Sequence, residues 1–329
     1  MKVLVTGAAG FIGSNYVRRA LSGGFAGLHD ADVVVLDKLT YAGNKANLDP
    51  VADSPRLRFV QGDILDLGLV DDLMTEVDQV VHFAAESHVD RSILGAADFV
   101  MTNVVGTQTL LDAALRRGID KFVHVSTDEV YGSIDEGSWP ETHPLEPNSP
   151  YSASKASSDL LARSYYRTHG LPVSITRCSN NYGPYHFPEK LIPLFVTNLI
   201  DGLKVPLYGD GMNVRDWLHV DDHCRGIELV RASGRPGEVY NIGGGTELTN
   251  KELTGLLLDA SGVGWEMVEP VEDRKGHDRR YSVDITKISD ELGYAPQVPF
   301  EQGLAEVVQW YRDNETWWRP LKDRAALPG

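Results

Sequence analysis

Cysteine is nearly missing from this chain: among 329 residues only Cys178 and Cys224 occur. Two thiols cannot build a disulfide framework or a cysteine zinc site, so they read as reduced, buried side chains in a cytoplasmic protein. Basic residues are also scarce, 31 Lys and Arg against 47 Asp and Glu, for a net charge of −16. That balance argues against a broad polyanion-binding face, and so against a nucleic-acid partner, while leaving a few local cations free to hold a diphosphate. No apolar run reaches the ~20 residues of a membrane span, so no membrane partner is expected. The apolar start Met1–Thr6 meets glycine too soon to be the core of a signal peptide. Repeats and low-complexity stretches are absent as well.

What is there is globular: 42% of residues are hydrophobic, 24% are charged, and the length allows two domains. Lys2–Thr6 is a short buried strand, followed by Gly7-Ala-Ala-Gly10-Phe-Ile-Gly13 and then by Ser14–Leu21, whose Val17, Ala20 and Leu21 have helical spacing. Strand, glycine turn and helix form the context in which such glycines bind a dinucleotide. They permit the tight turn and bring backbone N–H groups against a pyrophosphate at the positive end of the helix. The spacing is one residue longer than the usual fingerprint and indicates a variant of that fold. A second strand, Val33–Leu36, ends in Asp37, 24 residues beyond Gly13, where a carboxylate meets the adenosine ribose and repels a 2′-phosphate. NAD is therefore expected rather than NADP, with Lys38 next door partly neutralising the acid. Leu57–Gln61 and Val80–Phe83 are further strands. Asp63 and Ile64 after the first can meet an adenine ring, and the small Ala84 and Ala85 after the second allow close approach of a cofactor. Residues Asp98–Arg116 read as one helix. The alternation predicts an α/β fold with a doubly wound parallel sheet of the Rossmann type.

Phe122–Val125 is a buried strand running into Ser126-Thr-Asp-Glu-Val-Tyr-Gly132, a hydroxyl and two adjacent carboxylates at a strand end. Open α/β sheets place their chemistry there. Adjacent acids are common on solvated surfaces, and what gives these meaning is Tyr151-Ser-Ala-Ser-Lys155, at the head of a helix reaching about His169. Tyr and Lys at i and i+4 share a face. A cation beside a phenol, with oxidised nicotinamide near, is expected to bring the phenol down from its usual pKa of about 10. After Ser174–Arg177 the alternation weakens. Residues 1–178 are expected to form the dinucleotide domain, with 215–241 returning to it, and 179–329 a smaller mixed α/β domain for substrate. His219 and His223 are four apart but lack the rest of a metal-binding helix motif, so no metal is expected. Asp221-Asp222 reads instead as a helix start, and Trp310, Trp317 and Trp318 in the tail are expected to pack.

Gly7–Gly13 with Tyr151 and Lys155 resembles an extended short-chain dehydrogenase/reductase. The strings His82-Phe-Ala-Ala-Glu-Ser-His-Val-Asp-Arg-Ser92, Ser126–Gly132, Ser179-Asn-Asn-Tyr-Gly-Pro-Tyr185 and Arg215-Asp-Trp-Leu-His-Val-Asp-Asp-His223 narrow the resemblance to dTDP-glucose 4,6-dehydratases, over essentially the whole chain. Lys275 stands where that family often has Pro, which bears only on loop stiffness. The resemblance implies Thr127, Asp128, Glu129, Tyr151 and Lys155 as catalytic. It implies NAD, tightly bound and regenerated in each turnover, held by Gly7, Gly10, Phe11, Ile12, Gly13, Asp37, Lys38, Leu39, Thr40, Asp63, Ile64, Phe83, Ala84, Ala85, Thr102, Tyr151, Lys155 and Asn181. It implies a dTDP-sugar held by Ser87, Thr127, Asn180, Glu189, Lys190, Leu191, Pro206, Tyr208, Arg215, Asn250, Arg274 and His277. Arg215 and Arg274 suit a diphosphate, which needs planar cationic partners in an acidic protein. The implied reaction turns dTDP-glucose into dTDP-4-keto-6-deoxyglucose and water, a lyase step of deoxysugar biosynthesis. A homodimer paired through Asp98–Arg116 and Tyr151–His169 is the fold-level expectation. The alternatives are a GDP-mannose-type 4,6-dehydratase and a nucleotide-sugar 4-epimerase. An epimerase has no use for an acid–base pair that removes water, and the acid pair with the NAD preference points away from the GDP enzyme.

Overall fold

In the computed structural model, which describes residues 1–325, the β-branched runs that can bury both faces become parallel strands. The first half runs β1 (Lys2–Thr6), α1 (Phe11–Leu21), β2 (Asp32–Asp37), β3 (Leu57–Gln61), α2 (Leu67–Met74), β4 (Gln79–His82), α3 (Val89–Leu94), α4 (Ala97–Phe99), α5 (Thr107–Arg117), β5 (Lys121–Thr127), α6 (Pro150–His169) and β6 (Val173–Cys178). The second half continues with β7 (Asn180–Tyr182), α7 (Leu191–Ile200), β8 (Val205–Tyr208), β9 (Val214–His219), α8 (Val220–Ser233), β10 (Val239–Ile242), β11 (Glu247–Thr249), α9 (Asn250–Ser261), β12 (Val268–Val271), α10 (Thr286–Leu292), α11 (Phe300–Asp313) and α12 (Glu315–Ala325).

Seven strands form one sheet in the order β10-β6-β5-β4-β1-β2-β3, and every neighbouring pair is parallel. This is the doubly wound sheet the sequence predicts, with one more strand at its edge. The strand order reverses between β1 and β4, and the crevice beyond the carboxyl ends there is where such sheets bind ligands. β11, β9 and β7 make a three-stranded sheet, and β12 pairs with β8.

Two segments differ from expectation. The return to the large sheet, expected over 215–241, starts later, because Val214–His219 is paired on both sides in the small sheet. It is α8 that comes back, packing Val220, Ile227 and Val230 against Tyr16 and Val17 of α1, and β10 then completes the sheet. The single helix expected over Asp98–Arg116 is interrupted by a π-helical turn, Val100–Gly106. Two contacts account for it. Asn103 reaches across to the backbone N–H and C=O of Glu86, each at 2.9 Å, and to Ser154 at 2.8 Å. Gly106 lies against Ile64, whose Cδ1 would be 2.5 Å from a Cβ at that position. Helix α6 is defined at both ends: Ser149 and Ser152 form a capping box, Pro150 opens the first turn, and Gly170 closes it in the left-handed conformation.

Both cysteines are buried and free. His219 caps α8 by accepting from the Asp221 N–H at 3.2 Å, and His223 Nδ1 bonds Asn181 at 2.9 Å, so both rings are used by the fold. The tail tryptophans pack: Trp318 is fully buried, Trp310 lies tilted and Trp317 edge-on against Tyr185, and the Trp317 indole donates to Asn47 at 2.9 Å. No helix among the described residues is long and apolar enough to cross a membrane.

Beneath the carboxyl ends of β5 and β6 lies a buried charge pair, Arg177 Nε to Asp159 at 2.8 Å, with the Arg177 guanidinium also donating to the Tyr131 hydroxyl at 2.8 Å. Burial opposes the Asp159 charge, but Arg177 pulls its carboxyl below the usual value. Arg177→Met leaves that carboxylate unpaired, and is expected to cost about 3–5 kcal/mol in urea unfolding at neutral pH. The pair stabilises above the unfolded carboxyl pKa of about 4 and loses its effect as pH falls below it, so the variant and the parent should converge in acid.

Candidate active site

One cavity of about 460 Å³ runs from the glycine turn to β8 and α9. Its first half is a dinucleotide cradle. Gly7 has φ +70, and a Cβ there would sit 2.5 Å from the Ala84 nitrogen, while one on Gly13 would sit 2.6 Å from the Gly7 carbonyl oxygen. Side chains at these two positions would collide with the backbone after β4 and with the turn itself, so glycine is what lets the turn close and the helix pack tightly on the strand ends. Gly10 caps α1 without a side-chain hydrogen bond, leaving the first-turn N–H groups facing the cavity. Asp37 is fixed at the end of β2: its Oδ2 accepts from the Ala9 N–H and its Oδ1 from the Leu39 N–H, both at 2.8 Å. Lys38 pairs with Asp63 at 2.8 Å, which turns its charge toward the adjacent strand end. These groups fit a dinucleotide with free ribose hydroxyls.

The catalytic candidates meet where β5 ends. Thr127 caps the turn that follows it, accepting from the Glu129 N–H at 3.3 Å and donating to Asp128 Oδ1 at 3.3 Å. Asp128 is 2% exposed and Thr127 8%. Their two acids live in different surroundings. Burial raises the Asp128 pKa well above the carboxylate range, and the charges of Glu129 and Asp216 raise it further. Burial also raises Glu129, but Arg274, Lys190 and Arg215 face it and pull the other way. Both carboxyls are held above the usual range, Asp128 further than Glu129, so of the two it is Glu129 whose surroundings favour the anion. Lys155, one helical turn past Tyr151, donates to the Val125 carbonyl at 2.8 Å, and burial lowers its pKa to about 8.

Burial raises the Tyr151 phenol well above its ordinary value, Glu129 adds to the rise, and among the leading effects only a hydrogen bond with Thr127 lowers it. The Lys155 ammonium is directed to the Val125 carbonyl.

At the far end Arg215 lies 4.2 Å over the Tyr281 ring and donates to the carbonyls of Val214 and Asp278 at 2.7 and 2.9 Å. Lys190 donates to the Ser87 carbonyl at 2.9 Å. Glu189 is less free than expected, since its carboxylate accepts from the Tyr41 hydroxyl at 2.9 Å and from Arg91 at 3.2 Å. His277 pairs with Asp273 at 2.6 Å, and Arg274 lies 3.7 Å from Asp90. Every site residue named from the sequence lines this cavity except Leu39. Leu39 adopts a left-handed φ of +58, and its N–H is spent on Asp37. Glu86, Cys178, His186 and Trp217 line the cavity unannounced. Adjacency to named strings points to Glu86 and Cys178. The stacking of His186 on Phe11, 4.0 Å between ring centroids, is a long-range contact with no local signal.

Comparison with known proteins gives a consistent picture. The model of the GDP-mannose 4,6 dehydratase family matches residues 4–307. A dTDP-glucose 4,6-dehydratase from Streptomyces antibioticus is 69% identical over 329 residues, all of this chain and 97% of that protein. Another from Streptomyces niveus is 62% identical, covering 100% of this chain and 98% of that one. The crystal structure of DesIV, a dTDP-glucose 4,6-dehydratase from Streptomyces venezuelae with NAD and TYD bound, superposes with a TM-score of 0.97. It is 66% identical and covers 98% of this chain and 100% of its own.

The unequal acids are directly testable. Difference infrared titration, with Asp128→Asn as the subtraction, should show Asp128 protonated at neutral pH. Glu129→Gln removes a raising charge, so the Asp128 midpoint should fall. A midpoint in the ordinary carboxylate range in the parent protein would contradict the assignment.

Proposed function

The chain belongs to the GDP-mannose 4,6 dehydratase family, and we propose that within it this protein converts dTDP-glucose to dTDP-4-keto-6-deoxyglucose and water. The family carries the name of a GDP-sugar enzyme, whereas the full-length relatives at 62–69% identity are dTDP-glucose enzymes, and that identity favours the dTDP sugar. The observation that carries the reading is the adjacent pair Asp128 and Glu129, lining one cavity with Tyr151 and set in unequal surroundings, Asp128 among anions and Glu129 facing Arg274, Lys190 and Arg215. An epimerase needs no such pair.

NAD is the cofactor of this reading, held by the glycine turn, Asp37 and Lys155; when bound it takes hydride from C4 of the sugar and later returns it to C6. The chain's own groups supply the proton movements. Tyr151 takes the C4 hydroxyl proton while Thr127 hydrogen-bonds that oxygen. Burial holds the Tyr151 phenol above its ordinary value, so its ionisation calls for nearby positive charge, which Lys155 and a bound oxidised nicotinamide would supply. The 4-keto group then acidifies C5–H. Glu129 removes that proton, the C6–O bond breaks, and Asp128 gives its proton to the departing hydroxide, which leaves as water. Glu129 returns its proton to C5. Electrons balance within the sugar, so the cofactor would be regenerated and stay bound, and the proton Tyr151 took offsets the one Asp128 gave, the two groups resetting through solvent before the next turnover. Arg215 and Arg274 take the diphosphate, with Lys190, Tyr208, Asn250 and His277 completing the substrate wall.

The working form is a homodimer. Val100 (47% exposed) and Met101 (46%) on the π-helical turn and Leu160 (56%) on α6 are exposed apolar side chains on the two segments expected to pair. Leu160→Glu is expected to shift the sedimentation coefficient to that of a monomer, and an unchanged value would remove this face from the interface. The two unpaired thiols support a cytoplasmic location, which cell fractionation checks.

Incubation with dTDP-glucose should yield a product one water lighter by mass spectrometry. With deuterium at C4 and ordinary water as solvent, the label should appear at C6; its absence there sinks the internal transfer. Asp128→Asn and Glu129→Gln should retain bound NAD and lower kcat by about 10²–10⁴-fold.

A further inference from the structure

Asp216 is a buried carboxylate close to this chemistry without a part in it. It sits on β9 between Arg215 and Trp217, which both line the cavity, so strand alternation turns it to the opposite face. It is 3% exposed. Its Oδ2 accepts from the Ser179 hydroxyl and from the Gly244 N–H at 3.0 Å, and its Oδ1 accepts from the Thr246 N–H at 2.9 Å. All three donors are neutral. Burial pushes its pKa up, and the three donors stabilise the anion against that push.

Strand register brings Ser179, with the Asp216 carboxyl bonded behind it, beside Asp128. Thr127 and Cys178 are opposite one another on the parallel pair β5 and β6. The next residue on each strand, Asp128 and Ser179, therefore leave the sheet as neighbours, on strands about 4.8 Å apart. Ser179 lines the cavity and holds Asp216 behind it. Other groups face Asp128 as well: Glu129 from its own turn, Arg215 from β9, Tyr151 from α6 and Cys178 from β6. Those facing Asp216 are Glu247 from β11 and Tyr294 just beyond α10. Arg215, the cation of the group, is already engaged by two carbonyls and the Tyr281 ring.

We propose that Asp216 is a positioning residue for the loss of water: a fixed anion behind Ser179 that keeps the proton on Asp128, while Glu129, facing the cations, stays charged. This rests on the reading of Asp128 as the proton donor. It assigns the direction of the elimination to a residue that touches neither substrate nor cofactor.

Asp216→Asn and Asp216→Ser, prepared with NAD bound, test it by the infrared titration of Asp128 and by the pH profile of kcat/KM. Asp128 should lose its proton at lower pH in either variant, and the high-pH limb of the profile should move down with it. A contact that served only the fold would lower the rate at every pH and leave the limb in place. An unmoved Asp128 midpoint in a variant that melts cooperatively overturns the proposal. Loss of cooperative melting in both variants also overturns it, by assigning Asp216 to the fold. A midpoint that moves while the kinetic limb stays put leaves the tuning intact and removes Asp128 as the donor, so failure of the two readings can be told apart.

Discussion

Loss of water around two neighbouring carboxylates at the end of β5 is the constraint that the rest of the site answers. Two acids side by side cannot both ionise cheaply in a buried place. The chain resolves this by distributing charge unevenly. Lys190, Arg215 and Arg274 all face Glu129, while Asp128 has Glu129 and Asp216 beside it and only Arg215 against them. In a protein of net charge −16 such a gathering of cations is a local expense of positive charge that the surface does without. Two of the three, Arg215 and Arg274, are also the cations proposed for the diphosphate, so in that reading binding and proton placement share groups.

Much of this was legible in the sequence because local signals carry it. The buried strands, the glycine turn at Gly7–Gly13 and the Tyr151–Lys155 spacing each obey short-range periodicity, and the sheet assembles from them as predicted. The lobe exchange was harder to read. Val214–His219 and Val220–Ser233 are contiguous and equally apolar, and only tertiary pairing decides that the strand joins the small sheet while the helix returns to the large one. The π-helical turn is invisible for a similar reason. Its cause is the contact of Asn103 with a loop 17 residues away, not any residue of poor helix propensity. The Tyr151–Lys155 spacing fixes the helix face the two residues share but not their hydrogen-bond partners, and the Lys155 ammonium reaches the Val125 carbonyl.

β9 links the two lobes chemically as well as physically. Arg215 and Trp217 look into the cavity and Asp216 looks away, so three consecutive residues serve binding, proton placement and packing without competing for space. A one-residue slip of that strand would exchange these roles at once.

The late return of α8 and β10 also sets the order in which the molecule can be made. One face of the large sheet is covered by α1, from the first 21 residues, and by α8, more than 200 residues further on. A nascent chain that has emerged only through β6 therefore carries six strands but leaves Tyr16, Val17 and their neighbours uncovered toward solvent. During synthesis at ~5–20 residues per second, that apolar surface waits several seconds for its cover. The dinucleotide lobe is first in sequence yet among the last parts to close, and ribosome-bound chains of that length should be open to proteases and chaperones until α8 arrives.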